Sequence, residues 1–141
     1  MAIFFHAEGT SFKFSRKNAV KDWICRVLKN ESREPGNINI IFTSDTYLLN
    51  INKQYLERNY LTDIITFDYS EGELISGDLF ISIDRIKDNS NSMQIPEEKE
   101  LLRVIIHGIL HLIGYDDDLK DEKTIMSRKE DQYIEIYFNK H

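Results

Sequence analysis

The sequence predicts a small α+β or α/β domain, in which a mixed sheet of about four strands packs with four to five helices around a central buried helix. Three observations support this prediction. The chain has 141 residues, which matches one domain of about 100 to 200 residues. Apolar residues make up 41% of it, enough for a core that needs no disulfide or metal to fold. Segments with strand-like alternation are interspersed with segments of helical periodicity. We therefore treat residues 1–141 as a single domain.

The first part of the chain predicts two strand fragments and a helix. Ile3–His6 is a short apolar run, and Phe12 and Phe14 alternate with polar neighbours, as expected of strands. Ser15 is a candidate N-cap for the helix, which Glu34-Pro35-Gly36 is expected to end. The apolar face of this helix recurs at three- and four-residue spacing and comprises Val20, Trp23, Ile24, Val27 and Leu28.

The middle of the chain predicts three strands and a second helix. The first of these strands has the alternating apolar residues Ile38, Ile40 and Phe42. Ser44 or Asp45 can cap the following helix. Its apolar residues are Leu48, Leu49, Ile51 and Tyr55. Ile64–Tyr69 and Leu79–Ile83 are rich in β-branched and aromatic residues, and we expect these two strands to pair as neighbours.

The last part of the chain predicts a buried helix followed by an amphipathic one. Pro96 suits the first turn of a helix, and acidic residues follow it where the helix dipole favours negative charge. Leu101–Ile113 is apolar on nearly every side, so this helix should be central, and Gly114 is a natural C-terminal stop. A final helix is expected over about Asp121 to Phe138.

Composition restricts the location and the partners. The single cysteine, Cys25, lies in the predicted first helix, which favours a buried structural thiol in a reducing compartment. The N-terminal apolar run is too short for a secretory signal, and no run approaches the roughly 18 apolar residues of a membrane span. We therefore predict a cytoplasmic protein. A net charge of −6 disfavours binding to nucleic acid or anionic membrane through bulk charge, although the first helix concentrates basic residues that can also form a solvated face.

The predicted buried helix carries two histidines at metal-ligand spacing. His107 and His111 are four residues apart, so both project from one helix face. The helix then stops at Gly114, and the acidic turn Asp116–Asp118 can fold back towards the two imidazoles. Two histidines and one carboxylate are a ligand set that catalytic zinc accepts, with a fourth position left for water. We predict one Zn²⁺ per chain, with Asp117 as the third ligand and Asp116 as the alternative.

Other interpretations of this segment remain open. Buried histidines often do no more than satisfy hydrogen bonds, and adjacent aspartates can form a solvated turn. Metalloproteases of the H-E-x-x-H class place a glutamate beside the first histidine, whereas this chain has Gly108 there, which argues against that class. A bound metal can still activate water for hydrolysis.

The segment from His107 to Asp117, H-G-I-L-H-L-I-G-Y-D-D, resembles the H-G-x-L-H-L-x-G-Y-D-H signature of the YbeY endoribonuclease family, the bacterial rRNA maturation factors. The resemblance covers about residues 38 to 138. Further matching segments are Leu49-Asn50 with Tyr55, Thr62-Asp63-Ile64-Ile65-Thr66-Phe67, Gly77-Asp78, and Met126 with Glu130.

This resemblance implies an α+β domain with a zinc site, which acts as a single-strand-specific endoribonuclease in small-subunit (16S) rRNA maturation and ribosome quality control. The implied partners are single-stranded RNA, small-subunit rRNA and the small ribosomal subunit, without DNA or membrane. The chain departs from the family at two positions. Asp117 replaces a histidine, which should make the bound metal a weaker Lewis acid, and Leu56 replaces an arginine. Arg58, two residues on, is the candidate substitute near the scissile phosphate.

We therefore expect His107, His111 and Asp117 to hold the metal and Arg58 to assist catalysis. Lys21, Arg26 and Lys29 of the first helix are the candidate RNA-binding residues, with binding that weakens as salt rises. Two alternatives keep the metal site. The first is a non-catalytic, metal-binding ribosome-assembly module, and the second is a metal-dependent hydrolase acting on another substrate.

Overall fold

The computed structural model describes residues 2–140, apart from the side chain of Lys140. Within this range four strands form one mixed sheet with five helices, which confirms the predicted α+β fold. The strands are β1 (Ala2–Ala7), β2 (Glu34–Thr43), β3 (Ile64–Asp68) and β4 (Leu74–Ser82). The helices are α1 (Lys17–Asn30), α2 (Asp45–Leu56), α3 (Ile83–Met93), α4 (Glu97–Ile113) and α5 (Lys120–Lys140). None of the helices within residues 2–140 has a continuous apolar stretch of the length that a lipid bilayer requires.

The sheet has the strand order β1-β2-β4-β3. β1, β2 and β4 are parallel, whereas β3 pairs antiparallel with β4 at the other edge. The register that places Ile64 opposite Ile81 confirms the expected pairing of these two segments. Ile38 and Ile40 of β2 are fully buried, as their alternation predicts.

Both faces of the sheet are covered. The larger core joins one face to apolar side chains of α1, α3, α4 and α5. A smaller cluster on the opposite face packs Leu48 and Ile51 of α2 against Ile65 of β3. The neighbouring Ile64 points to the larger core, because successive strand residues face opposite ways.

α4 is the central buried helix that the sequence predicts, and ten of its residues are buried. Gly108 lets this helix lie close to β3 and β4. A Cβ atom at this position would stand 2.7 Å from Cδ1 of Ile64 and 3.0 Å from Cδ2 of Leu79, which is closer than carbon atoms pack. Packing therefore requires glycine at position 108, beside His107, and this glycine brings the histidine face of α4 close to the sheet.

Of the two strand fragments predicted before α1, Ile3–His6 lies in β1 and is confirmed, whereas the second, at Phe12 and Phe14, is wrong. Residues 11–16 form no strand. The rings of Phe12 and Phe14 instead pack on Phe42, with centroids 5.1 and 5.3 Å from its ring. The alternation here reflects burial of aromatic rings without a partner strand. Ser15 is not the N-cap, because α1 begins at Lys17 and no side chain caps it.

The end of α1 and its cysteine also differ from prediction. α1 ends at Asn30, and Glu34-Pro35-Gly36 already belongs to β2. Ser32, with φ of 59°, makes the turn between them. Cys25 is exposed rather than buried, because it lies on the outer side of α1. Burial of part of the residue and the charge of Asp22 raise the pKa of its thiol, which lowers the fraction of reactive thiolate.

Later boundaries are closer to the predictions. Ser44 is the N-cap of α2 and accepts a hydrogen bond from the Tyr47 N–H. β4 begins five residues earlier than expected, and its last predicted residue, Ile83, starts α3 instead. The predictions contain no helix at α3, because its sequence is polar apart from two isoleucines and a terminal methionine. Pro96 is the residue before α4, and α5 extends slightly beyond its predicted bounds at both ends.

Candidate metal centre

Three donor atoms converge at the C-terminal end of α4. The Nε2 atoms of His107 and His111 are 3.0 Å apart. The Oδ2 atom of Asp117 lies 3.3 Å from Nε2 of His107 and 3.5 Å from Nε2 of His111. The structure therefore brings together the three predicted ligands, which are separated by a helical turn and a loop in sequence.

These distances fit a small tetrahedral ion. Donors about 2.0–2.1 Å from a tetrahedral zinc stand about 3.3–3.4 Å from one another, and the three observed separations lie around this value. The side chains of His107, His111 and Asp117 are 20%, 25% and 35% exposed, so solvent reaches the group. Such an arrangement can bind one metal ion and leave a position open to water or substrate.

The end of α4 places the carboxylate. Gly114 is left-handed, with φ of 118°, and its N–H bonds to the carbonyls of Leu110 and His111. The Tyr115 N–H also bonds to Leu110 O, at 3.0 Å. This pattern reverses the chain at the helix end. The turn brings Asp117 to the histidines, whereas Asp116, the alternative ligand, is exposed and outside the group of three donors.

A buried glutamate orients the first histidine. Oε2 of Glu130 in α5 lies 2.6 Å from Nδ1 of His107, and the Glu130 side chain is 7% exposed. A carboxylate at this distance accepts a hydrogen bond from an Nδ1–H group, so that Nε2, which faces Asp117 and His111, is the nitrogen that can bind a metal. Burial alone would lower the pKa of His107, but the hydrogen bond and charge of Glu130, with the charges of Asp117 and Asp63, raise it. The pair has the carboxylate–histidine arrangement that supports metal ligands in proteins.

The network extends along α4. Arg103 lies 3.5 Å from Glu130 and bonds through Nε and Nη2 to Glu100, at 2.8 and 2.6 Å. Glu100 is fully buried and also accepts a hydrogen bond from Asn89 of α3. The hydrogen bonds that Arg103 donates to Glu100 are the main cause that raises the pKa of Arg103 further above its usual range. A permanently charged guanidinium thus lies between two buried carboxylates, one of which contacts His107.

Sequence reasoning missed the roles of Glu100, Arg103 and Glu130. A signal was present for the first two, because positions 100, 103, 107 and 111 recur at spacings of three and four and lie on one side of α4. No local spacing links Glu130 to His107 across 23 residues. Asp63, before β3, belongs to the same electrostatic environment, and its burial raises the pKa of its carboxyl.

The candidate RNA-binding residues do not form one patch. Arg26 and Lys29 line a cavity of about 410 Å³ between α1 and α5, together with Tyr133. Lys21 lies on another side of α1, with Nζ 6.0 Å from the centroid of the Phe5 ring.

Arg58 is exposed in the connection between α2 and β3. It lines a cavity of about 270 Å³ together with Tyr60 and Ile64. Since Ile64 packs on Gly108, this cavity borders the helix that carries the histidines. Within residues 2–140, no recorded hydrogen bond or ion pair joins the Arg58 side chain to the three donors.

Comparisons with known proteins give a consistent result. A family model described as Endoribonuclease YbeY matches residues 4–137. Relatives with that name include proteins from Parabacteroides distasonis, 45% identical over 96% of both chains, and Bacteroides fragilis, 46% identical over 95% of this chain and 96% of the relative. A third, from Karelsulcia muelleri, is 49% identical over 89% of both chains. A solution structure of a Thermotoga maritima protein is also similar, with 28% identity, a TM-score of 0.74, and 99% of this chain and 91% of that chain covered.

Proposed function

The chain belongs to the YbeY endoribonuclease family, and from this membership we propose that it is a zinc-dependent endoribonuclease specific for single-stranded RNA. Membership of the family confirms the resemblance seen in the sequence, and it makes the protein a hydrolase that acts on RNA. We further propose that its substrate is small-subunit (16S) rRNA, which it processes on or near the small ribosomal subunit in the cytoplasm.

The observation that carries the metal-dependent part is the spacing of the three donor atoms. Separations of 3.0 to 3.5 Å among His107, His111 and Asp117 suit one zinc ion. When bound, the ion supplies Lewis acidity, which activates water near neutral pH and offsets negative charge on a phosphate undergoing attack. The carboxylate of Asp117 adds a negative charge where the family signature has a neutral histidine, so the Lewis acidity should be weaker than with three histidines.

The protein residues prepare this site before RNA arrives. Glu130 retains the proton on Nδ1 of His107, so that Nε2 remains a donor. Arg103 balances the charge of Glu130 and fixes its position through Glu100. Because the two carboxylates, Glu100 and Glu130, are buried, the orientation they impose costs little reorganisation when the substrate binds.

RNA must approach an acidic protein, whose net charge is −6, through local basic groups. Arg26 and Lys29, on one cavity wall, are the strongest candidates for backbone phosphates, with Lys21 as a separate contact. Arg58 remains our candidate for a phosphate contact close to the metal, because its cavity borders α4. Such contacts make binding salt-dependent.

The first test is metal stoichiometry by elemental mass spectrometry. Native protein should carry about one zinc per chain, and Asp117→Ala should lose it or bind it far more weakly. Asp118→Ala is the matched control, since this neighbouring aspartate is exposed and outside the donor group. Zinc retained in Asp117→Ala but lost in Asp116→Ala would assign the third ligand to Asp116.

The second test is cleavage of single-stranded RNA. Native protein should cleave it and spare a duplex of the same sequence, whereas a chelator or His111→Ala should abolish cleavage. A zinc-loaded protein that cleaves no RNA, including the small-subunit rRNA precursor, would contradict the proposed activity. Cleavage that survives both the chelator and His111→Ala would contradict metal dependence.

A further inference from the structure

We infer that Glu31, just beyond the end of α1, is a positioning residue that holds the Asp117 turn against the two histidines and thereby sets metal affinity without touching the metal. This inference rests on the metal site proposed above. It concerns a cluster that joins α1, the α4–α5 turn and α5.

Glu31 is a nearly buried carboxylate that accepts hydrogen bonds from three side chains. Its side chain is 9% exposed. Tyr115 donates its hydroxyl to Oε1 at 2.6 Å, and Lys129 donates its ammonium to Oε2 at 3.1 Å. Tyr133 also donates its hydroxyl to Oε2. Hydrogen bonds to an ionised acceptor are stronger than neutral ones, so this cluster ties α1 firmly to the turn and to α5.

Tyr115 is restrained at three points along its length. Its backbone N–H bonds to Leu110 O at the end of α4. Its ring packs against the larger core and lies under the Lys129 ammonium, which is 5.7 Å from the ring centroid. Its hydroxyl is held by Glu31. The contacts with Glu31 and Lys129 come from the end of α1 and from α5, so α4 alone does not fix the direction of the turn.

The position of Asp117 follows from this anchor. Asp117 is two residues after Tyr115, so their Cα atoms are at most about 7 Å apart. The intervening Asp116 and the following Asp118 are both exposed. Within the described chain, the Asp117 carboxylate pairs with His107 and His111. Tyr115 is therefore the nearest firmly packed residue before the third ligand.

Tyr115→Phe and Tyr133→Phe form a matched pair that tests this inference. Each removes one hydroxyl donor from the same carboxylate, but only Tyr115 lies in the ligand turn. We expect Tyr115→Phe to weaken zinc binding about tenfold, the low end for loss of an outer support of a metal ligand. Tyr133→Phe should leave zinc affinity within about twofold of the native protein. Affinity is measured by competition with a chromogenic chelator.

Two further readouts separate positioning from a general loss of stability. The visible absorption of the Co²⁺-loaded protein reports the ligand geometry, and it should change in Tyr115→Phe but not in Tyr133→Phe. In the metal-free protein, amide hydrogen exchange at residues 115–118 should be faster in Tyr115→Phe only. Glu31→Gln, which keeps the side-chain size, should resemble Tyr115→Phe in both readouts.

The outcomes distinguish this inference from the proposed function. Native protein that binds zinc, together with a Tyr115→Phe variant of equal affinity and an unchanged Co²⁺ spectrum, would overturn the inference and leave the metal site intact. Zinc binding that is weakened equally in Tyr115→Phe and Tyr133→Phe would also overturn the inference, because the cluster would then act through general packing. Native protein without any zinc binding would refute the metal site itself, and the inference with it.

Discussion

Replacing Glu130 by glutamine removes the negative charge next to Nδ1 of His107 while it keeps the size of the side chain. In the native protein the two atoms are 2.6 Å apart, and the carboxylate is 7% exposed. The amide can still contact Nδ1, but it no longer attracts the proton that the carboxylate holds there. The substitution also removes one of the two carboxylates that pair with Arg103, so that only Glu100 continues to pair with it. We expect the Glu130→Gln protein to fold and to bind zinc more weakly.

The size of this effect can be worked out from the role of the contact. Loss of a carboxylate that orients a metal-ligating histidine weakens binding about 10–100-fold, which is about 1.4–2.7 kcal/mol. With zinc in excess, the stabilisation that zinc confers falls by the same amount. For 141 residues the unfolding entropy is about 0.3 kcal/mol/K. The zinc-induced rise in Tm should therefore be smaller by about 5–9 °C.

The assay compares each protein with and without zinc, so that any direct effect of the substitution on the metal-free fold is subtracted. Differential scanning calorimetry gives the two Tm values, and chelator competition gives the dissociation constant. Asp131→Asn is the matched control, because it removes the same charge from the next, exposed residue of α5. A Glu130→Gln protein that binds zinc as tightly as Asp131→Asn would refute the orienting role of Glu130.

Three further predictions concern packing, acid stability and RNA binding. Gly108→Ala places a Cβ atom 2.7 Å from Cδ1 of Ile64, and it should lower the free energy of unfolding in urea by about 1–3 kcal/mol. The pKa of Glu31 is lowered, because its hydrogen bonds from tyrosine and lysine side chains outweigh burial. Its stabilisation is therefore complete above the ordinary pKa of 4.5 and is lost as pH falls through the folded value, so the stability difference between native protein and Glu31→Gln should shrink in acid. The Arg26→Ala/Lys29→Ala double variant should bind single-stranded RNA more weakly, with a salt slope reduced by up to about 0.7 per removed charge.

Two of these predictions have a control variant, and each has an outcome that would contradict it. Leu119→Ala, at a side chain that is 66% exposed, should change the free energy of unfolding by less than about 0.5 kcal/mol. A change as small as this for Gly108→Ala would contradict the close approach of α4 to β3. A stability difference for Glu31→Gln that stays constant from neutral to acid pH would contradict the lowered pKa. Lys53→Ala removes an exposed charge from α2, on the other face of the sheet. If it weakens RNA binding as much as the double variant, the α1–α5 cavity is not the approach for RNA.

Local sequence features predicted much of the candidate site. The spacing of His107 and His111 determines that they share a face in any α-helix, and Gly114 marks the end of that helix because it adopts a left-handed conformation. The apolar run before it requires burial, which the structure confirms. These inferences succeed because each depends on interactions within one or two helical turns.

Local features failed to predict the structure where apolar side chains are buried without forming a strand. Phe12 and Phe14 alternate as in a strand, but they pack as rings on Phe42 without strand partners. Ile83 looked like the end of a strand, yet it begins α3 because the preceding Ser82 caps a helix by accepting a hydrogen bond from the Arg85 N–H.

The sequence by itself therefore determined the fold class, the central helix and the two histidines, together with Asp117 as the expected third ligand. Only the tertiary structure decided which groups support that site. Glu31, just beyond an amphipathic helix, looks in sequence like part of a solvated face, and the family resemblance marks Glu130 without showing what it contacts. Each is buried because distant residues bring it partners: His107, 23 positions away, for Glu130, and Tyr115, 84 positions away, for Glu31. A buried carboxylate is stable only where such donors meet it, and where they meet is set by how the helices pack on the sheet.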